Sequence, residues 1–209
     1  MDTAFLITSF ATLFVIIDPI GLLPIFIALT PGMSTAQRRA IAFRASIVAF
    51  MILALFAFFG EAVLGFIGIS MPAFRIAGGA LLFLTALDML FERRTKRRED
   101  QAHENEEYDS SSDPSVFPLA IPLIAGPGSI ATVILLSGQT PGFQGTFLVL
   151  GVALAVIISA ILLFLAGGIL ERALGKVGIT VVTRLLGMLL AALSIQFILD
   201  GLKAFGFAS

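Results

Sequence analysis

The sequence contains no cysteine, a single histidine and a single tyrosine. Without cysteine there is no disulfide, no thiolate metal site and no cysteine nucleophile. The one histidine, His103, lies in an acidic stretch, so residue supply excludes a histidine-ligated metal centre and a Ser-His-Asp triad within the apolar segments. No phosphate-gripping loop of the GxxxxGK[ST] type is present, so no ATP chemistry is built into the chain. The start, Met1-Asp2-Thr3, lacks the basic residues of a signal peptide and reads as the beginning of an uncleaved first span. Charge is also scarce: 13% of the residues are charged and 58% are hydrophobic.

What fills the chain is apolar sequence in runs at about 4–29, 41–60, 74–91, 117–137, 146–170 and 182–202. Each approaches the roughly 20 residues that cross hydrocarbon. The runs do not alternate apolar with polar, as a membrane β-barrel requires, so all six are predicted to be helices of a polytopic all-α membrane protein. Lysine and arginine set the orientation. With both termini outside, the inner loops receive eleven of the 13 basic residues and the outer side only Arg75 and Lys203. The cluster at 93–98 is thereby read as a topological anchor on the lipid bilayer, with no nucleic-acid partner. Residues 92–116 turn from basic to acidic and Ser-rich, with almost nothing apolar to bury, and are expected to form a disordered cytosolic linker. The domain reading is therefore a first three-helix unit at 1–91, the linker at 92–116, and a second three-helix unit at 117–209.

The two units resemble one another. Glu61-Ala-Val-Leu-Gly-Phe-Ile-Gly-Ile-Ser matches Glu171-Arg-Ala-Leu-Gly-Lys-Val-Gly-Ile-Thr at a spacing of 110 residues, and Thr30-Pro31-Gly32 matches Thr140-Pro141-Gly142 at the same spacing. Arg75-Ile-Ala-Gly matches Arg184-Leu-Leu-Gly after a one-residue gap. Because each unit holds an odd number of spans, a duplicated unit enters the membrane inverted, the architecture of many secondary transporters. Glu61 with Arg75, and Glu171 with Arg184, are expected to pair as structural salt bridges at helix ends, with gating as the sharper alternative.

Two polar interruptions stand in matching places of the first and fourth runs. Asp18-Pro19-Ile20-Gly21, followed by Pro24, breaks the first; Gly126-Pro127-Gly128-Ser129 breaks the fourth. Irregular backbone survives in hydrocarbon only where protein or a polar cavity surrounds it. Asp18 before Pro19 reads as an N-cap followed by proline at the first helical position, and Gly126-Pro127 as the same device without an acid. Each break thus aims a half-helix N-terminus into the bilayer interior, and the two are electrically unlike. The amides near Gly128 and Ser129 suit a substrate carboxylate; the carboxylate of Asp18 suits a substrate ammonium, a coupling proton or a sodium ion. Thr132, and the equivalent Thr85 and Ser194, are further candidates to line a pathway. Such hydroxyls also commonly bond their own backbone, as Asp18 also serves to cap its half-helix.

These motifs resemble the MarC family, also described as a six-span neutral amino acid transporter family. The likeness is carried by Asp18-Pro19-x-Gly21-x-x-Pro24-x-Phe26 and by Pro118-x-x-x-Pro122-x-x-x-Gly126-Pro127-Gly128-Ser129. It implies an inner-membrane protein of bacteria or archaea, some relatives being assigned as transporters of glycine, alanine and other neutral amino acids. The expected function is secondary transport of such a small-molecule substrate by alternating access, without a cofactor other than a coupling ion. Efflux of drugs or other metabolites, and a non-transporting membrane role, are the alternatives. An intramembrane enzyme would have only Asp18 and Ser129 to work with.

Overall fold

The first hydrophobic run forms two helices, α1 (Thr3–Ile17) and α2 (Pro19–Ala28), joined at Asp18. The computed structural model describes residues 3–93, 113–139 and 142–207, so most of the linker reading lies outside the described residues. Four further helices follow: α3 (Thr35–Ile67), α4 (Met71–Leu90), α5 (Pro127–Ser137) and α6 (Phe143–Leu165), and the last is α7 (Gly167–Ala204). Five helical spans are long and apolar enough to cross a membrane, and a sixth is counted when Ser115–Ile124 and α5 are taken together across a 55° bend. No strand occurs among the described residues.

Local chemistry explains where the elements begin and stop. α3 opens on a capping box, Ser34 accepting from the Gln37 amide while the Gln37 side chain accepts from the Ser34 amide. It ends at Gly68, whose φ of 84° is the left-handed C-cap glycine accommodates without a Cβ penalty. At 33 residues it outruns the 41–60 expected from hydropathy, because the polar first turns are helical while lying beyond the apolar window.

Two expectations are corrected here. Ser115–Ile124 is not a regular α-helix: it is a π-type segment in which Phe117 and Ile121 adopt extended backbone, with φ/ψ of −130°/125° and −126°/124°. Each precedes a proline, Pro118 or Pro122, whose ring drives the preceding residue out of the helical region and whose missing N–H deletes a rung. Both X-Pro bonds are cis. The fifth span ends at Leu165 rather than near 170, so Glu171 belongs to α7 and not to the end of the helix before it. Within α7, Gly175 at φ 61°, ψ 175° interrupts the helix, and the apolar span proper is Val177–Ala204.

α1 and α2 occupy the middle of the bundle. Their span is 67% buried inside the protein, against 28–39% for the other four single spans. α3 packs on α5, α6 and the proline segment; α2 packs on α6 and α7. The closest pairing joins α4 to α7, where glycines let the backbones approach. A Cβ on Gly79 would stand 2.8 Å from the Ser194 carbonyl oxygen, one on Gly187 3.3 Å from that of Ala86, and one on Gly201 3.0 Å from that of Pro72. As α4 runs forward its partners on α7 run back, so the two helices are antiparallel.

Candidate functional site

The first break is a single residue. Asp18 takes the left-handed conformation, φ 56° and ψ 62°, and its amide still closes α1 by donating to the Phe14 carbonyl at 2.9 Å. Its own carbonyl then accepts from Leu22 at 3.0 Å, so α2 starts at the residue where α1 ends. The side chain is 1% exposed, and Oδ1 accepts the Gly21 amide at 3.0 Å, the N-cap bond the Asp-Pro pair predicts. Gly21 is obligatory for this approach: a Cβ there would lie 2.1 Å from Asp18 Oδ2. Pro19 takes the first position of α2, and Pro24 sits inside that helix.

The second break is built without an acid. Gly126 is the N-cap of α5, Pro127 takes the first helical position, and no side chain caps the exposed amides. The Gly128 and Ser129 N–H groups are therefore presented at the positive end of α5. Gly126 is required by crowding, since a Cβ would meet the Pro122 carbonyl oxygen at 2.4 Å.

The structure brings the two breaks together. A Cβ on Gly128 would lie 2.9 Å from Ile16 Cδ1 and 3.8 Å from Leu82 Cδ2. The amide-bearing start of α5 is thus in contact with the residue two before Asp18, with α4 at its side. Asp18, Pro19, Gly126 and Ser129 are buried, as is Thr132, while Gly128 is half-buried.

The hydroxyls are satisfied locally. Ser129 donates to the Ile124 carbonyl at 2.8 Å, Thr132 to Gly128 at 2.8 Å, Thr85 to Leu81 at 2.9 Å and Ser194 to Ala191 at 2.7 Å. Thr132, Thr85 and Ser194 bond main chain within their own helices, and Ser129 bonds back across the second break to the end of the proline segment. Thr85 and Ser194 lie on the antiparallel α4–α7 pair, where the Ser194 carbonyl forms part of the close approach to Gly79. Sequence reasoning missed Ser9 and Ser46, whose hydroxyls are buried and without a partner among the described residues. A lone serine in an apolar run carries no pattern that marks it.

Two ion pairs involve the ends of the 92–116 stretch. Arg184 bonds Glu92 at 2.5 Å, while the side chain of Glu171, its expected partner, lies outside the described residues. A second pair joins Arg44 to Asp113. No ion pair joins Glu61 to Arg75, and Arg75 Nε is buried without a hydrogen-bond partner among the described residues. The physical reason is position: Glu61 lies within α3, which continues six residues past it to Ile67, and Arg75 lies inside α4 rather than at its opening.

A helical membrane protein of multiple spans, with two proline-marked breaks meeting in its interior, is the class that fold and site define. The chain belongs to the MarC family: the model described as MarC family integral membrane protein matches residues 3–205. It is 38% identical over 197 residues to a UPF0056 membrane protein of Aquifex aeolicus, covering 94% of this chain and 92% of that one. It is 39% identical over 204 residues to UPF0056 membrane protein YvbG of Bacillus subtilis, covering 97% and 96%. No solved structure matches.

Proposed function

We propose that the protein is a secondary transporter of small neutral amino acids, glycine or alanine in type, whose substrate is held between the two breaks. The observation that carries this is the contact of Gly128 with Ile16, which sets uncapped amides beside the residues leading into a buried carboxylate. A positive helix end packed on the helix that leads into a carboxylate suits a zwitterion: substrate carboxylate on the Gly128 and Ser129 amides, substrate ammonium toward Asp18. Asp18 is also the group that would take a coupling proton or sodium ion. In this reading the chain is an inverted repeat with discontinuous first and fourth spans, lying in the inner membrane with both termini outside and 92–116 in the cytosol. The antiparallel pairing of α4 with α7, the third spans of the two units, supports it. Purified protein in proteoliposomes then shows saturable glycine or alanine counterflow. Absence of exchange with every common amino acid overturns the substrate class.

Drug efflux has one observation in its favour, an apolar groove of about 880 Å³ lined by residues including Leu6, Phe10, Phe147 and Val152 between α1 and α6. It contains no residue of either break, which favours the amino acid reading.

The two ion pairs give the transport reading a closed side. Arg184–Glu92 and Arg44–Asp113 tie the ends of the linker to the bundle, Glu92 to the second unit and Asp113 to the first, whereas the opposite end lacks the Glu61–Arg75 pair. The Arg184 and Glu92 side chains are 51% and 43% exposed, so the pair adds at most about 1 kcal/mol to stability. Glu92→Gln, Arg184→Gln and the double variant accordingly keep Tm within about 3 °C of the parent, while all three alter the counterflow rate equally. Additive effects on rate would remove the pairing role.

A further inference from the structure

The ten residues of α2 are joined to α1 through one left-handed residue, Asp18, while the far end of α2 is fastened to three other helices. Phe26 is stacked on Phe164 of α6, with ring centroids 4.6 Å apart and planes 10° from parallel, and both rings are buried. A Cβ on Gly167, where α7 begins, would stand 3.0 Å from Leu23 Cδ1 and 3.6 Å from Ile27 Cδ1, so the same face of α2 lies on that glycine. Beyond the helix, Thr30 Oγ1 donates to the Phe26 carbonyl at 2.8 Å, and the Thr30 carbonyl accepts from Arg38 Nη2 of α3 at 3.0 Å. Thr30 is fully buried, and the guanidinium stands at the carbonyl end of α2, where a cation is favoured. The hold is incomplete. Arg38 Nε is buried without a hydrogen-bond partner among the described residues, and Pro24 removes a rung from α2 itself.

We propose that α2 is a gate at the end of the bundle that carries the linker, turning at Asp18 and latched by Arg38 on Thr30 and by Phe26 on Phe164. The inference rests on the transport reading and names the element whose release joins the space between the breaks to that side. The latch stands at the same end as the Arg44–Asp113 pair, because Arg38 and Arg44 lie within two turns of each other on α3. Arg38 is a positioning residue: its bond to Thr30 fixes where α2 rests. Ten residues of helix span about 15 Å, so a turn of roughly 20° at Asp18 carries the far end about 5 Å, further than a hydrogen bond or a ring contact can follow.

The chain has no cysteine, so Leu23→Cys places a single thiol at a position that is fully buried and lies against Gly167. Leu23 precedes the last turn of α2, so fraying at Thr30 does not reach it. In sealed vesicles a membrane-impermeant methanethiosulfonate labels this thiol slowly. Adding Arg38→Gln is expected to raise the rate by about tenfold or more, the loss of one charge-assisted bond, and only with reagent on the linker side. Arg38→Lys restores part of the slow labelling, and Arg39→Gln, which removes an exposed charge one residue away, leaves the rate unchanged. Phe164→Ala breaks the stack, leaves Arg38 in place and also speeds labelling, which keeps the test open should Arg38→Gln not fold. A thiol placed instead by Leu13→Cys, equally buried in α1, stays unreactive alongside Arg38→Gln. No increase at Leu23→Cys, or an equal increase at Leu13→Cys from general loosening, overturns the proposal. Counterflow by the parent protein is measured separately: counterflow with unchanged labelling removes the gate and leaves transport, whereas Arg38-dependent labelling without counterflow removes transport and leaves a latched α2.

Discussion

Asp18→Asn folds, purifies as the parent does, and loses amino acid exchange by about a hundredfold or more. The two halves of that result have separate causes. Asparagine retains the oxygen that accepts the Gly21 amide, so the cap on α2 survives at little cost. What disappears is the negative charge. In a site that is 1% exposed, a charge-assisted bond to an ammonium or a coupling ion contributes about 3 kcal/mol, which is about a hundredfold. Asp18→Ala separates the roles further. It removes the cap as well, leaves the Gly21 N–H buried without that acceptor, and lowers stability by a further 1 to 2 kcal/mol or so. Counterflow at the parental rate in Asp18→Asn would show that the residue is a cap and nothing more.

Gly79→Val disrupts the protein itself. Its Cβ would meet two atoms of the α7 main chain, the Ser194 oxygen at 2.8 Å and the Ile198 nitrogen at 3.1 Å, and main chain cannot rotate away as a side chain can. The helices must separate along their closest contact, at a cost of about 3 kcal/mol or more. In a chain of this size that lowers Tm by roughly 6 to 12 °C. Gly65→Val is the matched control, since nothing lies within 4 Å of a Cβ at that position in α3; its Tm is expected to stay within about 2 °C of the parent. Equal changes in the two variants would mean that the close approach of α4 to α7 at Gly79 does not limit stability.

Hydropathy located all six apolar runs because lipid selects for apolar length whatever the side-chain detail. The caps were equally legible: Asp-Pro and Gly-Pro restart a helix through chemistry local to two residues, and both α2 and α5 begin there. The proline segment at Ser115–Ile124 was not read correctly, although the signal was present. Two prolines four residues apart each exclude the preceding residue from the helical region, and that local rule outweighs a continuous apolar run. Pairing between distant charges was the least legible. Arg184 reaches Glu92, a pairing with no counterpart in the repeat pattern, because the chain path decides which carboxylates come within reach. The contact of Gly128 with Ile16 is marked by no residue pattern; the expectation that the breaks face one another rests only on reading the second unit as an inverted copy of the first.

The packing has a mechanical consequence. α1 to α4 pack chiefly on α5 to α7, and contacts between neighbours inside one unit are sparse. The two units are interleaved like fingers, so neither is a block that can tilt against the other without tearing the core that holds both. Among the described residues there is no seam for a hinge to follow. Under the proposed transport, exposure of the interior to one side and then the other would fall to short pieces moving inside a fixed frame, and the pieces with a pivot are α2 at Asp18 and α5 at Gly126.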